Sequence, residues 1–99
     1  MIQLGPIDYD EIKYLRFKFG DELEAGKTIS SVAMSAIVKQ GVDATPNSRF
    51  SGAAVVSGTD VIQKFHPSVP DVLYHIRARV VDSDGLAHVI AGDLQVNTF

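Results

Sequence analysis

Tyr74, Ile76, Ala78 and Val80 alternate with His75, Arg77 and Arg79. A two-residue period sends successive side chains to opposite faces of a sheet, so this stretch predicts a strand with one apolar and one wet face. Beyond Asp82-Ser83-Asp84-Gly85, the residues His88, Ile90, Leu94 and Val96 mark a return strand. Two registers compete. A two-residue loop would set Tyr74 against Asp93 and draw a carboxylate into the core. A three-residue loop, Ser83-Asp84-Gly85 with Gly85 at positive φ, sets Val80 against His88, Ala78 against Ile90 and Tyr74 against Leu94. A slip of one residue swaps every side chain between faces, and only the second register keeps the apolar set together. It also puts His75 beside Asp93 on the wet face.

The same period recurs upstream. Leu15, Phe17 and Phe19 share one parity, with Arg16 and Lys18 on the other. The polar residues from Gly20 to Lys27 read as a connection with one apolar plug, Leu23. From Thr28 to Val38 the alternation is looser, and Ala33, Met34 and Ala36 favour a helix. The β-branched Ile29, Val32, Ile37 and Val38 favour a strand, which is the expectation. Residues 40–48 are turn-rich. Ala53 to Val56 and Val61 to Phe65 form a hairpin around Ser57-Gly58-Thr59-Asp60. Val61, Gln63 and Phe65 oppose Ile62 and Lys64, and these residues alone leave the buried set undecided. Pro67 and Pro70 remove ladder donors, so residues 66–71 do not continue a central strand.

These elements predict an all-β fold, an immunoglobulin-like (fibronectin III-like) β-sandwich of about seven short antiparallel strands. The chain has 99 residues, enough for one core and too few for two. Residues 13–99 form the single domain and residues 1–12 an extended N-terminal arm. Tyr74, just after a Pro-Asp loop, is either a corner tyrosine or a core filler. With no cysteine or tryptophan, the core rests on Leu, Ile, Val and Phe, at roughly 1.5–3 kcal/mol per fully buried side chain.

Function classes fall away on chemistry. Nine basic against twelve acidic residues give a net charge of −3, which disfavours nucleic acid and anionic membranes as partners. Met1 to Pro6 lack a basic segment followed by an apolar core, so no secretory signal is expected. No apolar run approaches the ~20 residues that cross a bilayer. His75 and His88 have opposite parity and His66 lies in a proline loop, so no metal site is expected. Asp82 and Asp84 fit turn chemistry better than a calcium loop, because no closing glutamate follows. No nucleophile elbow or phosphate loop is present, and no catalytic residue or cofactor is expected.

Assembly surfaces are the remaining candidates. Arg77 and Arg79 project from one wet face, and arginine's planar fork suits interfaces. Ile2, Leu4, Ile7, Tyr9 and Ile12 are apolar with no regular period. That arm either covers an edge strand of its own sandwich or reaches a neighbour. Phe99 follows the last strand closely and is either tucked in or used in a contact.

Phe17-Lys18-Phe19…Glu22-Leu23…Gly26-Lys27-Thr28-Ile29-Ser30-Ser31 resembles the opening of small bacteriophage virion proteins described as fiber–tail adaptors. Val55 to Gln63, with its Gly-Thr turn, is similar to their hairpin. Val69 to Arg77 resembles their loop into a Tyr-x-apolar-Arg strand, and Asp82-Ser83-Asp84-Gly85 their final turn. The resemblance spans roughly Tyr14 to Val96. It implies a non-enzymatic subunit of the virion tail or neck, made in the host cytoplasm. Its partners would be the portal, the tail connector or nozzle and the tail fiber, with many copies in a ring. The alternative expectation is a small binding module for a carbohydrate or protein ligand in a cellular protein, for which Tyr9 and Tyr14 would supply exposed rings. Removing residues 1–12 is expected to leave the sandwich folded and impair assembly.

Overall fold

The computed structural model describes residues 2–98 and is all-β, with two sheets packed face to face. The strands are β1 (Ile2–Gln3), β2 (Ile7–Asp8), β3 (Lys13–Lys18), β4 (Ile29–Gln40), β5 (Phe50–Ser57), β6 (Asp60–Phe65), β7 (Val72–Asp82) and β8 (Ala87–Asn97). A single 3-10 turn, Pro46–Arg49, precedes β5. The long sheet runs β1-β8-β7-β4, with β2 also on β8, and the small sheet runs β3-β6-β5. Strands β4, β7 and β8 reach 11 or 12 residues, longer than the short strands expected. The molecule is accordingly drawn out, 42 × 20 × 20 Å.

The β7–β8 hairpin has the three-residue loop. Val80 faces His88, Ala78 faces Ile90, Tyr74 faces Leu94 and His75 faces Asp93. Gly85 has φ 84. The Asp82 carboxylate ties the turn by accepting from the Asp84 and Leu86 amides at 2.9 and 3.0 Å. It also lies 2.8 Å from His88 Nε2. Residues 29–40 are strand, not helix. Two irregularities explain their loose alternation: the β4–β7 register shifts at Ser30 and again at Lys39. The extra residue at Ser30 turns Ile29 towards the core, and the Ser30 hydroxyl donates to the Val81 carbonyl at 2.9 Å.

The core holds Leu15, Phe17, Phe19 and Leu23 with Tyr74, Ile76, Ala78, Val80, Leu94 and Val96. In β6 the buried set is Val61, Gln63 and Phe65. Packing decides this: the Phe65 ring sits edge-on to Phe50 and to Tyr74, each at 5.5 Å, and so joins the two sheets. Gln63 pays its desolvation by donating to the Gly52 and Lys64 carbonyls, where β5 bulges.

Residues 2–8 are part of the long sheet. Ile2 lies beside Gly92 and Ile7 beside Val96, both in parallel pairing, unlike the antiparallel strands expected. Ile7 is 2% exposed and belongs to the core. Gly5 permits the close approach, because a Cβ there would stand 2.7 Å from Leu94 Cδ1. Deleting these residues would empty a core position and bare the β8 edge, which revises the expectation that the sandwich folds unchanged without them.

Candidate interaction surface

The outer face of the long sheet is built by three long strands in register. Ser35, Arg77 and Ala91 form one cross-strand row, and Ala33, Arg79 and Val89 the next. Both arginines are exposed on the central strand β7, above flanking residues too small to cover them. Among the described residues neither has an ion-pair partner. They form a short cationic row on a bed of small apolar and hydroxyl side chains.

One end of the face is electrostatically closed. Asp93 Oδ1 lies 3.0 Å from His75 Nδ1, and Asp93 Oδ2 accepts from Lys39 Nζ at 2.9 Å. The His75 hydrogen bond, then that of Lys39, holds the Asp93 carboxyl below its ordinary range. The β4 irregularity at Lys39 aims that lysine across β7.

Beneath the sheet lies a polar cluster. Tyr74 is fully buried and its hydroxyl donates to Asp43 Oδ2 at 2.6 Å. Arg49 grips Asp43 with Nε at 2.9 Å and Nη2 at 3.1 Å, and its Nη1 donates to Ser68 Oγ at 2.9 Å. Arg49 first, and the Tyr74 hydroxyl after it, hold Asp43 far below the carboxylate range; burial first, then Asp43, pushes the Tyr74 phenol up. Every charge in this cluster is satisfied internally, so its role is structural. Sequence reasoning placed Tyr74 inside but missed Asp43 and Arg49. The one local signal is Asp43-Ala44-Thr45, where the carboxylate accepts from the Thr45 amide at 3.0 Å.

The small sheet carries the second surface feature. Tyr14, Arg16, Val55 and Ile62 line a shallow hollow of about 360 Å³ on its outer face. Tyr14 is 68% exposed, with Lys64 Nζ 5.6 Å from its ring centre. Arg16 is bound to Asp60.

The other candidates disperse. Leu4 is half-buried against the core and Ile7 is inside it, so Ile7 offers no contact surface. Ile2 is placed by its backbone in β1, two strands from β7. Tyr9 and Ile12 are exposed at 37% and 57%, near the Asn97 end of β8 and away from the arginine row. Phe99 lies outside the described residues. Among the described residues, no three His, Asp or Glu side chains gather as a metal set, and no helix is long and apolar enough to cross a membrane.

No family model, no curated protein and no solved structure matches the chain.

Proposed function

We propose that the chain is a non-enzymatic structural component of a bacteriophage virion, a tail or neck adaptor. It docks on the portal-proximal tail connector or nozzle and offers an attachment surface for tail fibers, in a multi-copy ring. The observation that carries this reading is the unpaired Arg77 and Arg79 row on the outer face of an elongated molecule. Such a row suits an acidic patch on a partner, because a guanidinium grips a carboxylate bidentately once water is excluded. The resemblance of Phe17–Ser31 and Val69–Arg77 to fiber–tail adaptors supplies the class of particle. Many weak contacts related by symmetry add to a firm one. The immunoglobulin-like character of the sandwich belongs to the same proposal, supported by Tyr74 at the head of a late strand after Pro70-Asp71. Mass spectrometry and electron cryo-microscopy of purified particles test it. The chain is expected at a fixed copy number in the tail or neck, and its absence from every particle overturns the reading.

One observation favours a second reading, a carbohydrate-binding module. The Tyr14 ring stands open beside Arg16 and Asp60, the pairing of a stacking surface with polar groups that sugars use. A glycan-array signal abolished by Tyr14→Ala would support it, and a blank array would remove it.

A further inference from the structure

The long sheet ends on β4 with an open edge. On the β8 side, β1 and β2 cover the stretch from Gly92 to Asn97 and leave Ala87 to Ala91 without a neighbouring strand among the described residues, whereas on the other side β4 is the terminal strand. The Ala36 amide donates to Asn47 Oδ1 at 2.8 Å, on the side away from β7. Register is continuous from Ser31 to Val38, so the two-residue period turns the main-chain N–H and C=O of Val32 and Met34 to that side as well. No main-chain partner meets them among the described residues.

Edges of this kind are usually defended. Strand β3 carries Lys13, Arg16 and Lys18, and β5 is interrupted between Ser51 and Val55. Strand β4 is irregular at Ser30 and at Lys39, but the regular stretch between them has neither defence. From Thr28 to Val38 the sequence has no charged residue and no proline. The lysines that flank the run, Lys27 and Lys39, are already neutralised by Asp84 and Asp93. Val32 and Met34 are also only half-buried against the core.

We propose that β4 pairs antiparallel with β4 of a second copy of this chain, about a two-fold axis at Ala33. Val32 of each copy then faces Met34 of the other, and the four free N–H groups meet the four free C=O groups. The open edge is self-complementary in this register alone: centring on Val32 or Met34 would leave one of the two residues facing a bulged or an occupied position. Each copy bears a net charge of −3, and the uncharged edge is where two copies approach with least repulsion. Pairing through β4 ends at two copies, because each copy's β4 edge is used up by the other's. An isologous contact has a two-fold axis, so any ring would be assembled from pairs. The pairing does not depend on the virion reading.

The test uses the full chain. Light scattering on the wild type is expected to give the dimer mass, and amide exchange at Val32 and Met34 is expected to be slow. Ala33 would face its own counterpart in a non-hydrogen-bonded pair, with Cα atoms roughly 4.5 Å apart. Because the chain lacks cysteine, Ala33→Cys should cross-link to a covalent dimer on mild oxidation. Ser35→Cys, which would face Ser31, should not. Ala33→Glu opposes two like charges at the axis and should raise the dimer dissociation constant about tenfold or more, with an unchanged circular dichroism spectrum. A wild type that stays monomeric overturns the proposal, including one that gains a strand only from an unrelated peptide. So does a dimer in which Ser35→Cys cross-links as readily as Ala33→Cys, or one indifferent to Ala33→Glu.

Discussion

The hydroxyl of Tyr74 donates a 2.6 Å hydrogen bond to the carboxylate of Asp43, 31 residues earlier in the chain. The bond joins the Val72 end of strand β7 to the loop that crosses to the small sheet, and Arg49 clamps the same carboxylate.

Tyr74→Phe keeps the ring packing and removes one hydrogen bond, and should cost about 1–2 kcal/mol. Asp43→Ala leaves Arg49 and the Tyr74 hydroxyl without their partner. Its cost should be about 3 kcal/mol, at the low end for a buried pair because the Arg49 side chain stays 21% exposed. Urea unfolding measures both, and equal losses would mean that Asp43 acts only through Tyr74.

Asp43, Asp82 and Asp93 all have lowered folded-state values, caused first by Arg49, His88 and His75 respectively. On acidification the unfolded chain takes up protons before the folded one does. Their contribution is therefore whole above the ordinary carboxylate value near 3.8 and is lost as pH falls through the folded values. The melting temperature should drop below about pH 5, and Asp43→Asn should flatten that drop. An Asp43→Asn profile parallel to the wild type would contradict the assignment.

Gly41 has φ +91, and a Cβ there would lie 2.5 Å from the Asp71 carbonyl oxygen. Backbone cannot yield as a flexible side chain does. Gly41→Ala should therefore destabilise by about 3 kcal/mol, whereas Gly58→Ala, at φ +63 in open space, should cost about 1 kcal/mol. Thermal melts of the two variants separate steric clash from conformational preference.

Ile7→Ala should cost about 2–4 kcal/mol, as for any large-to-small core change. Ile12→Ala, at a side chain 57% exposed, should stay within about 0.5 kcal/mol. Matching small losses in calorimetry would return the first residues to the status of a loose arm.

Arg77→Glu with Arg79→Glu should leave stability within about 0.5 kcal/mol, since neither guanidinium is paired. Under the adaptor proposal the doubly changed chain should be missing from purified particles. Normal incorporation would remove the arginine row from the docking surface.

Some of this was legible in residue order and some was not. The β7–β8 register followed from parity, because only one register kept Tyr74, Ile76, Ala78 and Val80 on the same face as Ile90 and Leu94. The exposure of Arg77 and Arg79 and the His75–Asp93 contact came with it. Strand β4 was harder to read, because the extra residues at Ser30 and Lys39 break the period on which parity rests. The parallel seat of Ile2 and Ile7 on β8 had no periodic signal. Two-residue strands are too short to show one.

Alternation is a local property: a side chain's face follows from its neighbours two positions away, so the sequence by itself determined strand β3, the β7–β8 hairpin with its turn, and the wet arginine row. Which face of β6 turns inward, which carboxylate meets Tyr74, and where β1 and β2 seat on β8 were decided only by the tertiary structure. Each is a contact between segments far apart in the chain, and its free energy depends on shape and desolvation that exist only once the two sheets have closed.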